Sequence, residues 1–446
     1  MGLKHIETVK SIILLLLIAL SITFTFSIWT YSPRYETIDQ SPTTDSIAIA
    51  NKESIDHIIK PYKTVFNFND SLRGTVNPKE IDMIIDKITD WKITDISLVN
   101  QNFGAEELGA LLRKPNRFTL YYHGEVPLTI YDTVLYMDEN MLSVPEISFD
   151  RLVIDWNASH TYLDILFISK MNKTMYSAKA QVRDYEEFER TILARGQEFE
   201  EYSEVNPGGS PYIVVPTGAV EARKNTYFQE EVRPSQFRDA LFSDPSAVRR
   251  SQLSSNVEEY GDNYELMKVH TDKKKLDYVY LVNEDDELAI PSELLEKAIY
   301  YVNEHSGWTN EYRYTYMDPA SRTVRFRLFL HGLPVYTDSS STTEIVQKWG
   351  KQGIIGYARP YYYYTWDDAI KSEPQQLPSG LDVANRLKDS DMINFDTVEE
   401  IALGYFMKYD MERGLLIMEP SWFYLAKGNW SRFSPSALGG GLIGLE

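Results

Sequence analysis

The chain contains no cysteine, which excludes disulfides, thiolate metal sites and a cysteine nucleophile together. Its seven histidines are scattered without a His-x-x-x-His pair, so a catalytic zinc site has no support. There is no Gly-x-Ser-x-Gly elbow and no Gly-x-x-x-x-Gly-Lys phosphate loop. Positive charge is scarce: 45 Lys and Arg stand against 65 Asp and Glu, a formal charge of −20, and the acidic excess is spread along the chain. Such a surface argues against nucleic acid, anionic lipid and anionic wall polymers as partners, and directs attention to protein contacts. Gly439, Gly441 and Gly444 have the spacing of a dinucleotide fingerprint, but only Leu445 and Glu446 follow them. No helix N-terminus is left to hold a pyrophosphate, and 436–446 reads as a flexible Gly-rich tail. Glu284-Asp285-Asp286-Glu287 lacks the Gly and distal Glu of an EF-hand loop and reads as a solvated acidic loop. No catalytic residue, cofactor site or metal ligand emerges from these patterns.

One long apolar run is present. From Ser11 to Pro33 no side chain is charged, and Ser11 to Ile28 is almost wholly Ile, Leu, Phe, Ala and hydroxyl residues, a length that spans a bilayer as a helix. Lys4, His5 and Lys10 precede it while Glu36 and Asp39 follow Arg34, which places the N-terminus in the cytoplasm and the rest outside. Trp29 and Tyr31 stand where aromatics anchor at the outer interface. A cleaved secretory signal would end in small residues, and bulky Trp29 and Tyr31 argue for retention. Ser21, Thr23, Thr25 and Ser27 put hydroxyls on this helix. Ser21 and Thr25, at i and i+4, share one face and are the candidate contacts to a partner helix, although small hydroxyl residues are also simply tolerated in a span.

The remaining sequence predicts sheet-rich α+β domains. The chain has 31 tyrosines, clustered in strand-like runs. Residues 32–51 read as a tether, 52–205 as a first extracytoplasmic domain, 212–288 as a second and 289–435 as a third. Asn77 caps a helix opening at Pro78, with Ile81, Ile84, Ile85 and Ile88 at helical spacing. Strands are expected over Arg117–Tyr122, Leu128–Met137, Ile147–Trp156 and Tyr162–Ser169, and an amphipathic helix over Asp184–Tyr202. Asn206-Pro207-Gly208-Gly209-Ser210-Pro211 is the strongest linker signal. Asp272-Lys273-Lys274-Lys275 reads as a solvated hairpin turn between two strands. Arg117–Gly124 and Arg325–Gly332 share Arg, Phe, Leu, His and Gly at matching positions, which suggests duplication. The two histidines, each before a Gly at a strand end, read as structural. Trp422 and Tyr424 share one face of a strand by period-two alternation and are the candidate structural aromatic motif.

Lys10-Ser11-Ile12 at the start of the apolar run and Trp29-Thr30-Tyr31-Ser32-Pro33 at its exit resemble the N-terminus of the YycH family. Tyr361-Tyr362-Tyr363-Tyr364-Thr365-Trp366 and Glu419-Pro420-Ser421-Trp422-Phe423-Tyr424, with Gly428 and Trp430 beyond, are similar to that family's C-terminal domain. The resemblance implies a non-catalytic accessory regulator of the WalK/WalR two-component system, which governs cell-wall metabolism in low-GC Gram-positive bacteria. It further implies contact with a WalK-type sensor histidine kinase, through the transmembrane helix and the outer domains, together with a YycI-like membrane partner. The last two outer domains are expected to resemble YycI. The competing expectation is a wall-modifying or carbohydrate-binding surface protein that uses its tyrosine-rich strands as a platform. Exposed aromatics in one groove with convergent carboxylates would favour that alternative, and aromatics buried in sheet cores the regulator.

Overall fold

The computed structural model describes residues 14, 16, 17, 20, 21, 49–69, 71–138, 144–156, 162–209, 211–281, 288–338, 342–351, 353–365 and 369–434. The chain divides into two units, 1–46 and 47–446. In the first, Leu14, Leu16, Leu17, Leu20 and Ser21 are helical and exposed. Among the described residues no helix is long and apolar enough to cross a membrane. Most of the apolar run, Thr25 included, lies outside them, as do most of the tether, the acidic run 284–287 and the tail 436–446.

The larger unit is built on two sheets. The first has nine antiparallel strands in the order Lys92–Gln101, Thr174–Gln181, Tyr162–Ser169, Ser148–Asp155, Arg117–Pro127, Lys63–Phe68, Ser71–Thr75, Glu200–Glu204 and Val214–Pro216. The helix Pro78–Ile88 packs beside it. The Asn77 side chain accepts the Lys79 amide and Pro78 fixes the first turn, so Ile81, Ile84 and Ile88 are turned into the core. The amphipathic stretch after Asp184 is helical from Tyr185 to Gln197 with a π turn at Glu189–Leu193, and the chain then enters the strand Glu200–Glu204. That strand pairs with Val214–Pro216, and the two form a hairpin; of the Pro-Gly stretch between them, Ser210 lies outside the described residues.

The second sheet has fourteen strands, running from an edge at Arg249–Ser254 to one at Lys371–Leu377. All its pairings are antiparallel except that of Leu333–Thr337 with Val398–Asp410. The basic turn joins Glu265–His270 to Lys275–Tyr280 as expected, with Lys274 at φ 52°. Lys274 also reaches Glu231 at 2.8 Å, so this lysine is paired as well as solvated. The helix Pro291–His305 buries Leu294, Leu295, Ala298, Ile299 and Val302. One apolar core runs from Ile58 to Met418 and draws on both sheets, so the unit behaves as one body. Tyr131, Tyr227, Tyr312, Tyr357, Tyr361 and Tyr362 are fully buried within it.

Two local expectations fail. Leu128–Met137 is not a strand: Leu128–Tyr131 is a helical turn followed by further turns. Leu128, Ile130, Tyr131, Val134 and Leu135 are buried there while Tyr136 is exposed, so apolar content alone did not distinguish the two conformations. His123 is not at a strand end, because the strand Arg117–Pro127 continues through it with a register shift between Tyr121 and Val126. Gly124 permits this continuation: a Cβ there would lie 2.9 Å from the Thr315 carbonyl and the Tyr314 ring. His331 does sit in a tight turn, at φ 52° beside Gly332 at φ 78°.

Candidate functional site

Charged side chains gather inside the larger unit where the first sheet meets the second. Lys63 opens the strand Lys63–Phe68 and is 4% exposed, and Glu400 lies inward on Val398–Asp410 at 6%. The Lys63 Nζ donates to Glu400 Oε1 at 2.6 Å. Arg151, from Ser148–Asp155, approaches Glu400 Oε2 at 3.5 Å and pairs with Asp150 at 2.9 Å. Both cations lie over the Tyr121 ring, the Lys63 Nζ at 4.6 Å and the Arg151 guanidinium at 4.5 Å, an arrangement favoured by the negative face of the ring. Burial alone would push the Glu400 carboxyl up, but Lys63 and Arg151 outweigh it and hold it below the usual range. Burial drives the Lys63 ammonium down, and Glu400 only partly offsets this.

Aromatic rings continue the seam. His123 stacks on Tyr62 with centroids 4.0 Å apart and meets Phe329 and Trp430 edge-on. Burial, reinforced by Arg327, Arg313, Arg151 and Lys63, lowers His123 to about 3, so the imidazole is neutral at any ordinary pH and serves as a ring. Arg327 pairs with Glu344 and lies 4.4 Å over Tyr336. The ionised groups are paired with one another, while the His123 Nε2 is buried without a hydrogen-bond partner. Among the described residues no group of three His, Asp or Glu is placed to hold a metal ion. A surface pocket of about 400 Å³ beside the helix Pro291–His305 holds one aromatic ring, Trp349, and one carboxylate, Glu293, with Lys297, Arg322 and Lys351. It is not a groove of aromatics with convergent carboxylates.

The residues singled out in the sequence fall elsewhere. Ser21 is helical and exposed, and Thr25 is outside the described residues. Trp422 and Tyr424 lie on one face of the strand Leu415–Ala426, 3% and 4% exposed. They belong to a second core with Val205, Ile213, Val215, Leu377, Val383 and Leu387, and the Trp422 Nε1 donates to the Pro378 carbonyl at 2.9 Å. Lys63, Arg151 and Glu400 were missed because lone charges in strand sequences carry no signal of their distant partners.

In the same C-terminal sheet, Glu419 accepts hydrogen bonds from Lys224 at 3.1 Å and Arg432 at 3.2 Å, and pairs with Lys408 at 2.8 Å. Burial would raise its carboxyl, but the three cations overcome this and hold it at about 2, against an ordinary 4.5. A depressed folded-state value means that the stabilisation is present above 4.5 and disappears as pH falls toward 2. Glu419→Gln is therefore expected to flatten the loss of stability between about pH 5 and pH 2. Denaturant melts at several pH values check this, and parallel profiles for mutant and wild type would refute it.

This geometry defines an α+β scaffold whose aromatics and ion pairs lock two predominantly antiparallel sheets together. Residues 7–195 match the YycH protein N-terminal domain and residues 212–436 the YycH protein C-terminal domain; the chain belongs to the YycH family. It is 20% identical, over 95% of both chains, to the two-component system WalR/WalK regulatory protein YycH of Bacillus subtilis (strain 168). The crystal structure of YycH from Bacillus subtilis shares the fold, with a TM-score of 0.73 at 18% identity, covering 87% of this chain and 99% of that one.

Proposed function

We propose that this chain is a membrane-anchored, non-catalytic regulator of a WalR/WalK-type two-component system. The observation that carries the reading is end-to-end similarity to a regulatory protein of that system. It is supported by aromatics and charges that are spent on the protein's own interior. In this reading 11–31 is a single transmembrane helix with a cytoplasmic N-terminus, and 52–205, 212–288 and 289–435 are extracytoplasmic domains. The partners are the sensor histidine kinase and a YycI-like membrane protein, and no cofactor takes part. Regulation needs only that the accessory subunit pack better against one kinase state than the other. A difference of about 1 to 3 kcal/mol changes signalling several-fold to about a hundredfold.

The anchor is part of the regulatory surface. Small hydroxyl side chains at Ser21 and Thr25 let a partner backbone approach, and each interhelical hydrogen bond adds about 0.6 kcal/mol in a membrane. Replacing residues 12–28 by an unrelated span of equal hydrophobicity is expected to keep localisation and orientation. It should weaken co-purification of the kinase and alter expression of kinase-controlled wall genes. Ser21→Leu with Thr25→Leu should reproduce part of that loss. Wild-type association and expression in the swapped protein would transfer the regulation to the outer domains alone, and failure of native full-length protein to retain the kinase would reject the regulator reading.

A further inference from the structure

The strands Tyr162–Ser169 and Thr174–Gln181 are joined by the turn Lys170–Lys173, closed by the pair Ser169 and Thr174, with Lys173 at φ 53°. Three consecutive amides there are taken by side chains. Lys170 N–H donates to Asp150 Oδ1 at 3.0 Å, Met171 N–H to Glu125 Oε1 at 3.1 Å, and Asn172 N–H to Ser169 Oγ at 2.9 Å. Asp150 and Glu125 come from adjacent strands, Ser148–Asp155 and Arg117–Pro127. Two carboxyl groups are thus brought to neighbouring amides of one turn.

Their surroundings are unequal. Asp150 has the Arg151 guanidinium at 2.9 Å, and Arg151 also turns toward Glu400. The Glu125 Oε2 is buried without a hydrogen-bond partner. From the second sheet the Tyr314 hydroxyl donates to the Glu125 carbonyl at 2.7 Å, which leaves the Glu125 carboxyl to the turn. The charged and titratable groups around it are therefore Asp150 and Arg151 on one strand, Lys170 in the turn, Tyr314 on the facing strand and neutral His123 on its own.

We propose that Glu125 and Asp150 make the Lys170–Lys173 turn a pH-operated latch, closed while Glu125 is protonated and loosened when both carboxyls are charged. Protonated Glu125 still accepts from the Met171 amide through Oε1, while the proton on its carboxyl removes the like charge that would face Asp150. Release of that proton to solvent puts two like charges against one turn in a poorly screened setting. The balance falls in an accessible range: burial and then Asp150 raise Glu125 to about 8, against the opposing pull of Ser169, the Met171 amide and Arg151. Because the folded value is raised above the ordinary 4.5, the stabilisation is full below 4.5 and is lost as pH rises through about 8. The latch does not depend on the proposed partners or on the membrane anchor.

Met171, 62% exposed at the tip, is a natural reporter. Full-length protein in detergent micelles, with 13C-methyl methionine, is to be titrated from about pH 6 to about pH 9.5, its Met171 signal assigned with Met171→Leu. The Met171 methyl is expected to shift with a midpoint near 8. Glu125→Gln, which mimics the protonated acid, should abolish the shift, and Asp150→Asn should lower the midpoint by about one pH unit or more. A Met171 signal that does not titrate in the wild type, or titrates unchanged in Glu125→Gln, overturns the latch. If Glu125→Gln fails to fold, Asp150→Asn decides alone: an unmoved midpoint overturns it.

Discussion

Glu400→Ala is expected to destabilise the folded protein by about 3 to 5 kcal/mol, because it leaves Lys63 without its buried carboxylate and removes one of the two carboxylates beside Arg151. The loss should exceed that of an exposed pair such as Lys297 with Glu293, where each side chain is more than half exposed and about 0.3 to 0.5 kcal/mol is at stake. Equilibrium denaturation of Glu400→Ala and Glu293→Ala measures the contrast. The double replacement Lys63→Met with Glu400→Leu separates the worth of the pair from the cost of orphaning a charge. It is expected to recover most of the loss, since exchanging a buried ion pair for apolar groups of similar volume is often neutral or stabilising, and Asp150 still balances Arg151. A double mutant no more stable than Glu400→Ala would show that the pair itself supports the seam between the sheets.

How far the sequence revealed this depended on whether the cause was local. The helix from Pro78 was legible because its cap, its proline and its isoleucine spacing lie within one stretch. The hairpin at Asp272–Lys275 was legible for the same reason. The repeated Arg-Phe strands were half informative. Phe118 and Leu120 are fully buried, as are Phe326 and Leu328, so the match does mark equivalent inward faces. It stops at His-Gly, where one strand continues against Tyr314 and the other turns back. That divergence is set by a neighbouring sheet, which the pattern cannot record. Glu400 follows Glu399 in a strand buried on both faces, and only a register shift between Val398 and Glu400 turns it toward Lys63, 337 residues away. Alternation had no polar face to expose, so the seam was illegible while the aromatic motif beside it could be read.

Trp422→Ala is expected to cost about 3 to 5 kcal/mol and to lower the level of folded protein. Trp422 ties together three pieces of chain that are remote in sequence. Its indole donates to Pro378 just before the helix Gly380–Lys388, and a Cβ at Gly380 would lie 3.1 Å from the ring. Its core neighbours Val205, Ile213 and Val215 lie on the two arms of the hairpin formed by Glu200–Glu204 and Val214–Pro216. The mutation therefore opens a cavity and leaves the Pro378 carbonyl without its donor, two losses that the pinned helix start gives little room to relax. Trp422→Phe keeps most of the volume and gives up the indole hydrogen bond, so a penalty nearer 1 to 2 kcal/mol is expected. Thermal melts of both variants test the packing role, and kinase co-purification tests the alternative. An Ala variant with unchanged stability and lost association would make Trp422 an interface residue. A stable Ala variant that instead lost affinity for wall saccharides would revive the carbohydrate-platform reading. A destabilised variant whose residual folded fraction still binds the kinase would place Trp422 inside the scaffold, holding the C-terminal sheet against the hairpin and the helix beside it.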